Sequence, residues 1–153
     1  MAFLNSDQMA KVLALPPQNL KPNEAHGDVH TLAWTFTTPA GGVPINDVVR
    51  LGKLPKGARV LRGRYANGAM TTGAGVATAE IGTYADDGVD TLIDVDAFQT
   101  ATSVDAAGEA DFGNTIVKGF LSELSQNVIV GAKATVEAWA AAQGFHGVIE
   151  YAL

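Results

Sequence analysis

The hydrophobic and polar residues of this chain begin to alternate after Asp28, and the alternation recurs in several separate segments. In the first segment Leu32, Trp34 and Phe36 are separated by threonine or alanine, so their side chains point to one face of an extended chain. This alternation predicts a half-buried β-strand. Comparable apolar runs predict further strands at residues 76–84, 91–95, 114–121, 127–140 and 145–151.

The stretch at residues 47–65 contains two apolar runs separated by Pro55, Lys56 and Gly57. Proline presets φ near about −65°, and glycine takes the positive φ that other residues resist, so these three residues predict a tight turn. Two β-rich runs around such a turn predict a hairpin in which the strands pair with each other. Further turns are predicted at Asn67-Gly68 and Asp86-Asp87-Gly88.

Two regions depart from clear alternation. Residues 98–113 are small and polar, which predicts a long irregular connection that could include a helical turn near residues 97–101. Residues 132–142 are rich in alanine, the best helix former, so a helix is an alternative to a strand there. We favour the strand because residues 128–136 alternate and the turn signal Gln143-Gly144 follows.

About eight strands, turn signals between them and little helix predict an all-β fold made of two packed sheets. We predict a jelly-roll-like β-sandwich formed by residues 28–153, with an extended N-terminal arm at residues 1–27.

The predicted arm joins a short apolar segment to a polar tether. Residues 7–15 could form two helical turns with Ser6 as the N-cap, and Pro16-Pro17 would end them. Such an arm is typical of a segment that docks on a neighbouring protein, and an ordinary frayed terminus is the open alternative. The arm residues that we predict at an interface are Phe3, Leu4, Met9, Val12, Leu13 and Leu15.

Composition limits the functions that this chain can have. Its 153 residues include no cysteine, which excludes disulfides, thiolate metal sites and a cysteine nucleophile. With a formal charge of −6 the chain has no electrostatic footprint for phosphate backbones, so we expect no nucleic-acid partner. The basic group Arg59, Arg62 and Arg64 is more typical of a solvated face or an interface.

The sequence also argues against a membrane partner. No apolar run approaches the roughly 20 residues that a membrane-spanning helix needs, and the N-terminus lacks the basic and apolar regions of a signal peptide. Only 17% of the residues are charged, and alanine, glycine and threonine are abundant. This composition suits close-packed sheets and protein–protein contact surfaces.

The densest group of acidic residues comprises Asp86, Asp87, Asp90, Asp94 and Asp96. Calcium takes about six to eight oxygen ligands, usually from a loop with regular ligand spacing and a closing glutamate. This segment lacks both features, so a solvated turn is the better interpretation and a weak calcium site is the alternative.

Carboxylates also raise the hypothesis of a glycosidase, which needs an acid and a nucleophile or base at a defined separation. No sequence feature marks any of the candidates as buried. The candidates are Asp94, Asp96, Glu109 and Asp111.

The remaining polar residues match no catalytic motif. Of His26, His30 and His146, no two have metal-ligand spacing, although the last two could meet across strands and bind zinc. No serine lies in a G-x-S-x-G motif, and the glycine-rich segment at residues 68–75 lacks the lysine of a phosphate loop, which favours a mobile hairpin tip. We therefore predict no catalytic residue, no metal site and no cofactor.

The two tryptophans receive different interpretations. Trp34 belongs to the apolar stripe of the first strand and is predicted in the core. Trp139 lies on the parity opposite to the apolar residues of its segment, so we predict an exposed contact residue at an interface. An exposed tryptophan could also stack on a sugar, as in a carbohydrate-binding module.

Several motifs resemble those of small structural proteins of tailed bacteriophages, in which a strand N-D-V-I-x-L runs into L-P-x-G-A-x-V-L. Here residues 45–51 read I-N-D-V-V-R-L and residues 54–61 read L-P-K-G-A-R-V-L. The segment F-Q-T-A-T-S-V-D-A-A-G at residues 98–108 and the final V-I-E-Y at residues 148–151 are also similar. The resemblance covers roughly residues 34–153, and the chain departs from it in the longer arm and in an alanine-rich segment.

This resemblance implies a non-enzymatic head decoration, or cement, protein on the outside of an icosahedral capsid, made in the host cytoplasm. Its implied partners are the major capsid protein and further copies of itself, with a homotrimer at a threefold position as the first expectation. The alternatives are a tail or baseplate component and a carbohydrate-binding β-sandwich module.

Overall fold

A computed structural model describes residues 28–73, 75–88, 91–111 and 122–153, and these form eight β-strands. Within these ranges the chain has no helical segment with the length and hydropathy of a membrane span. The strands are β1 (Val29–Thr37), β2 (Val48–Leu54), β3 (Arg59–Asn67), β4 (Thr78–Ala85), β5 (Leu92–Ser103), β6 (Gly108–Asp111), β7 (Val128–Ala134) and β8 (Gly144–Ala152).

The strands form two four-stranded antiparallel sheets with the orders β1-β8-β3-β6 and β2-β7-β4-β5. The pairs β4 with β5, β3 with β6, β2 with β7 and β1 with β8 are those of one long antiparallel ribbon. Winding such a ribbon over a core places successive strands in alternate sheets, which is the jelly-roll arrangement. The prediction of a jelly-roll-like β-sandwich of about eight strands is confirmed.

The hairpin predicted around Pro55 is wrong, although its turn is present. The amide of Ala58 donates to the carbonyl of Pro55 at 3.1 Å, and Gly57 has a φ of 90°, as a glycine turn requires. However, β2 and β3 lie in different sheets, so the turn carries the chain across the sandwich. Leu54 and Val60, on either side of the turn, are fully buried because the chain here crosses the core.

The irregular connection predicted at residues 98–113 is mostly strand. Strand β5 does not pair evenly, because it advances by more residues than β4 between Asp94 and Gln99, and this irregularity hides its alternation. The Gln99 side chain is also buried, where its amide donates to the hydroxyl of Tyr65 at 3.0 Å. No helical turn forms near residues 97–101.

The alanine-rich segment at residues 132–142 contains the end of a strand and no helix. Strand β7 ends at Ala134, and residues 135–143 form the connection to β8. The strand predicted at residues 114–121 lies outside the described ranges, as does the whole arm at residues 1–27.

Aromatic side chains fill the centre of the sandwich around Phe145. Its ring centroid lies 5.2 Å from that of Tyr65, 5.4 Å from Trp139 and 6.2 Å from Trp34. The prediction that Trp34 belongs to the core is confirmed, since only 7% of it is exposed. The indole of Trp34 packs directly against the backbone of Gly147. Any larger residue would clash there, because a Cβ at this position would lie 2.2 Å from a ring carbon of Trp34.

Candidate interaction surface

The antiparallel pairing gathers alternate connections at each end of the sandwich. We call one end the loop end, and it carries the β1–β2, β3–β4, β5–β6 and β7–β8 connections, each of which joins strands of different sheets. The other end, the turn end, carries the β2–β3 and β4–β5 turns, the described residues 122–127 that lead into β7, and the start of β1. The loop end consists of the described residues 38–47, 68–73, 75–77, 104–107 and 135–143.

The loop end has very few charged residues. Its four connections contain no lysine and no arginine, and their acidic residues are Asp47, Asp105 and Glu137. Alanine, glycine, threonine, proline and valine make up most of the remainder. A surface depleted of charge is typical of the centre of a protein–protein interface.

Trp139 ties three connections of the loop end together. Its backbone exchanges hydrogen bonds with Val43 at 3.0 and 2.8 Å, and the next amide, of Ala140, donates to the carbonyl of Met70 at 2.7 Å. Its indole Nε1 donates to the carbonyl of Thr78 at 3.0 Å. The predicted exposure of Trp139 is wrong, because the side chain is fully buried. Strand parity does not apply there, since β7 has already ended.

Buried or shielded carboxylates hold the glycine-rich segment of the loop end. The Glu137 side chain, in a residue that is only 6% exposed, accepts hydrogen bonds from the Thr72 amide at 2.7 Å and from the hydroxyls of Thr71 and Thr72. Asp105 accepts a hydrogen bond from the Ala77 amide. Thr71, Thr72 and Ala77 are therefore held by carboxylates of other connections. No local sequence signal links Glu137 to these threonines.

Three large apolar side chains are exposed at the loop end. Ile45 is 47% exposed, Val76 is 48% exposed and Val136 is 60% exposed. The amide of Asn46 donates to the carbonyl of Ala134 at 2.8 Å, which places Ile45 beside the end of β7. The sequence analysis predicts an exposed apolar contact residue at Trp139. The structure instead exposes these three apolar side chains at the same end of the sandwich.

The outer face of the β1-β8-β3-β6 sheet carries a charged groove of about 480 Å³. Arg62 donates to both carboxylate oxygens of Glu150, at 2.7 and 2.8 Å, and this hydrogen bond lowers the pKa of Glu150 from its ordinary value. Arg64 pairs with Glu109 and lies 3.8 Å from Asp111. Both guanidinium groups are thus matched by carboxylates.

Two ion pairs lie on the surface of the turn end. Lys53 donates to Asp86 at 2.7 Å, and Arg59 donates to Glu123 at 3.2 Å. Asp87 accepts bonds from the amide and hydroxyl of Thr91, so the predicted turn after β4 is stabilised by its own acidic side chain. Gly88, with a φ of 84°, completes this turn.

The histidines of β1 and β8 do not meet. In the antiparallel register His30 faces Tyr151, on which its ring stacks at 5.4 Å, and His146 faces Thr35. The zinc alternative that would join them is therefore wrong. Within the described part of the chain no group of three or more histidine, aspartate or glutamate residues is arranged to hold a metal ion.

The carboxylates considered for glycosidase chemistry lie on edge strands of different sheets. Asp94 and Asp96 are on β5, whereas Glu109 and Asp111 are on β6 and are associated with Arg64. All four side chains lie outside the buried core. These four carboxylates therefore form no enclosed acid–base pair.

The predicted arm residues Phe3, Leu4, Met9, Val12, Leu13 and Leu15 lie outside the described residues, as do His26 and Asp90. The interface role of the arm therefore stays a prediction.

The fold is shared with chains of three phage capsid structures. In the capsid of Ralstonia phage GP4 the matching chain is 20% identical with a TM-score of 0.68, covering 82% of this chain and 84% of that chain. In the capsid asymmetric unit of cyanophage Pam1 it is 21% identical with a TM-score of 0.65, covering 92% and 96%. In the acidic stable capsid of Helicobacter pylori bacteriophage KHP30 it is 15% identical with a TM-score of 0.58, covering 84% and 90%. No family model matches the sequence, and no curated protein matches it.

Proposed function

We propose that this protein is a non-enzymatic structural protein of a bacteriophage head, which binds the outer surface of the capsid and stabilises the assembled shell. The observation that best supports this decoration role is the jelly roll that the chain shares with chains of three phage capsid structures. The matches extend over 84–96% of those chains, so the likeness is to whole small subunits.

The physical mechanism is linkage between binding and assembly. A protein that binds the assembled shell, but not its separated subunits, stabilises the shell by mass action. Its partners are then the major capsid protein and further copies of itself. A homotrimer at a threefold position would place the same surface of each copy against an equivalent site.

We propose that residues 1–27 form a second part of this attachment. Their apolar side chains would order against a neighbouring subunit or the shell, and that ordering costs entropy, which the buried apolar surface must exceed. The polar tether would let the arm reach beyond the sandwich. The folded sandwich and the arm then make separable contributions to binding.

A carbohydrate-binding module is disfavoured by the position of Trp139. The indole that was to stack on a sugar is fully buried and hydrogen-bonded to the carbonyl of Thr78. A sugar could reach it only if the loop end opened. The described surface therefore lacks the aromatic platform on which that hypothesis depended.

Labelling of phage particles with an antibody against this protein, viewed in negative stain, tests the location. We expect label distributed over the heads. Label confined to tails or baseplates would contradict the decoration role and favour the tail alternative. A phage that lacks the protein serves as the control for unspecific label.

Addition of purified protein to heads that lack it tests the stabilising role. We expect the temperature of DNA release to rise with protein concentration until the sites are filled, as mass action requires. The matched variant is a protein without residues 1–20, which should keep the folded sandwich and bind heads more weakly. Unchanged head binding by this truncated protein would remove the arm from the mechanism.

A further inference from the structure

We propose that two copies of this chain associate through β1, an edge strand of the β1-β8-β3-β6 sheet, so that β1 of one copy pairs antiparallel with β1 of the other. The pair has a twofold axis and joins two four-stranded sheets into one sheet of eight strands. This inference goes beyond the proposed function, because a twofold contact differs from the threefold contact of a homotrimer. It can be tested on the purified protein without capsids.

The first support is a comparison of the edge strands. An edge strand presents unpaired backbone donors and acceptors, which proteins usually protect from other chains by shortness, charge, proline or a bulge. Strand β6 has only four residues, and β2 and β5 pair irregularly with their neighbours. All three also carry charged side chains, which are Arg50 and Lys53 on β2, Asp94 and Asp96 on β5, and Glu109 and Asp111 on β6.

Strand β1 has none of these protections. Its nine residues, Val29–Thr37, pair with β8 without a register shift, and they include no lysine, arginine, aspartate, glutamate or proline. Among the residues that the structure describes, β8 is its one neighbour in the sheet. A long, regular and uncharged edge is typical of a strand that pairs with another chain.

The two faces of β1 select a second copy of the same strand as the partner. On one face Leu32 and Phe36 pack against the core. The side chains of the other face are all exposed, and they are Val29, Thr31, Ala33, Thr35 and Thr37. Antiparallel pairing of β1 with itself sets small and β-branched side chains against one another on this face, and such cross-strand pairs stabilise a sheet. The other three edges would instead set charged side chains against β1.

Charge favours the antiparallel direction. The acidic residue Asp28 directly precedes β1. In an antiparallel pair the two copies of Asp28 lie at opposite ends of the contact, about 30 Å apart for nine residues at roughly 3.4 Å each, which is far beyond the Debye length of about 8 Å. Glu150, which pairs with Thr31, is matched by Arg62. The formal charge of −6 is therefore not concentrated at this contact.

A groove of about 500 Å³ opens beside the end of β1, and its walls include Phe36, Val43 and Val48. It lies between β1 and β2, the edge strands of the two sheets on this side of the sandwich. In a pair centred near the middle of β1, Leu32 of the second copy approaches Phe36 and can cover the groove. Burial of this apolar surface adds to the backbone hydrogen bonds, of which nine paired residues make roughly nine, as many as a typical interface has.

Sedimentation velocity of the purified full-length protein at low salt, over a wide concentration range, tests the proposal. We expect a concentration-dependent dimer. Ala33→Lys should weaken it by about five- to tenfold, because two like charges then lie roughly 5–8 Å apart across the axis. His146→Lys is the matched control, since His146 is exposed on β8 and pairs with Thr35 on the same face. It adds the same charge one strand away from the edge and should dimerise like the wild-type protein.

A mixing experiment identifies the surface that β1 meets. Ala33→Glu should also weaken the dimer, for the same electrostatic reason. An equimolar mixture of the Ala33→Lys and Ala33→Glu proteins should associate more tightly than either variant alone, because opposite charges then face each other across the contact. This recovery requires that β1 of one copy lies beside β1 of the other.

Four results would overturn the proposal: a wild-type protein that is monomeric at all concentrations, an oligomer that both Ala33 variants keep, a control that dissociates equally, or a mixture that stays dissociated. Thermal unfolding shows that each variant is folded, and Thr35→Lys and Thr35→Glu provide a second pair if the first is not. A monomer that still binds heads would contradict this inference alone. A β1-paired dimer that does not bind heads would contradict only the proposed function.

Discussion

The two ends of the sandwich are held together by different kinds of interaction. At the loop end, backbone hydrogen bonds between connections and the 6% exposed Glu137 join segments that are far apart in the sequence. At the turn end, local turns are accompanied by ion pairs such as that of Lys53 with Asp86, whose side chains are 67% and 30% exposed. Exposed ion pairs contribute only about 0–1 kcal/mol, whereas polar groups left unpaired in a buried site cost about 1–3 kcal/mol.

This difference shows where the stability and the shape of the molecule are determined. Substitutions at the loop end should unfold the sandwich or release a loop, because each removed group leaves a buried partner unpaired. Comparable substitutions at the turn end should have small effects, since water replaces the lost partner. The predictions that follow test this contrast in order of decreasing effect.

Trp139→Ala should cause the largest loss of stability. It removes a fully buried indole from beside Phe145 and leaves the carbonyl of Thr78 without its donor. Replacing a buried tryptophan by alanine costs about 3–5 kcal/mol, and urea unfolding followed by fluorescence and circular dichroism measures this loss. Trp139→Phe is the control, which keeps a ring in the core and should lose clearly less. An alanine variant as stable as the wild-type protein would show that the loop end is not anchored by this residue.

Gly42→Ala should have the second largest effect, and Gly57→Val at the turn end provides the comparison. A Cβ at Gly42 would lie 2.2 Å from the carbonyl oxygen of Trp139, and the residue has a φ of 73°. We expect a loss of about 2–4 kcal/mol from left-handed strain and overpacking together. Gly57, with a φ of 90° and no atom near its Cβ position, should lose only the strain, about 1–2 kcal/mol. Equal losses of stability for the two variants in thermal unfolding would contradict the predicted steric clash between a Cβ at residue 42 and the carbonyl oxygen of Trp139. An unchanged stability of Gly57→Val would contradict the positive φ assigned to Gly57.

Much of the fold could be predicted from the sequence, because alternation and turn residues are local signals. The strand around Trp34 and the glycine turn at Gly57 are examples. The partner of a strand is decided by distant residues, and for this reason the turn at Pro55 was mistaken for a hairpin. The strand predicted at residues 91–95 is the beginning of β5, but the alternation does not predict its continuation to Ser103, because irregular pairing and the buried Gln99 interrupt it.

The candidate surface could be predicted only in part. Low charge and many small residues indicated a contact surface, but the sequence could not show that these features gather at one end of the sandwich. The anchoring of Thr72 by Glu137 joins residues 65 positions apart, and no local pattern reveals such a contact. The alternation of β7 predicts an exposed Trp139 only if it continues past Ala134, where the strand in fact ends.

Glu137→Gln should produce an intermediate loss that is concentrated in one loop. The amide keeps one acceptor oxygen but places donor hydrogens against the donors of Thr71 and Thr72. We expect a loss of about 1–3 kcal/mol in global stability and faster hydrogen exchange at the Thr72 amide. The amides of the turn at Ala58 serve as an internal control and should not change. Faster exchange throughout the molecule would contradict the expectation that the Glu137 carboxylate stabilises only this loop.

Lys53→Met should have the smallest effect and completes the comparison between the two ends. It removes the cation from the 2.7 Å ion pair with Asp86 while keeping a long apolar side chain. Because Lys53 is largely exposed, we expect a change within about 0.5 kcal/mol, and added salt should reduce the difference from the wild-type protein. Urea unfolding at low and high salt measures both quantities. A loss as large as that of Glu137→Gln would mean that an exposed charge at the turn end stabilises the sandwich as strongly as a buried carboxylate, and the contrast between the two ends would then be wrong.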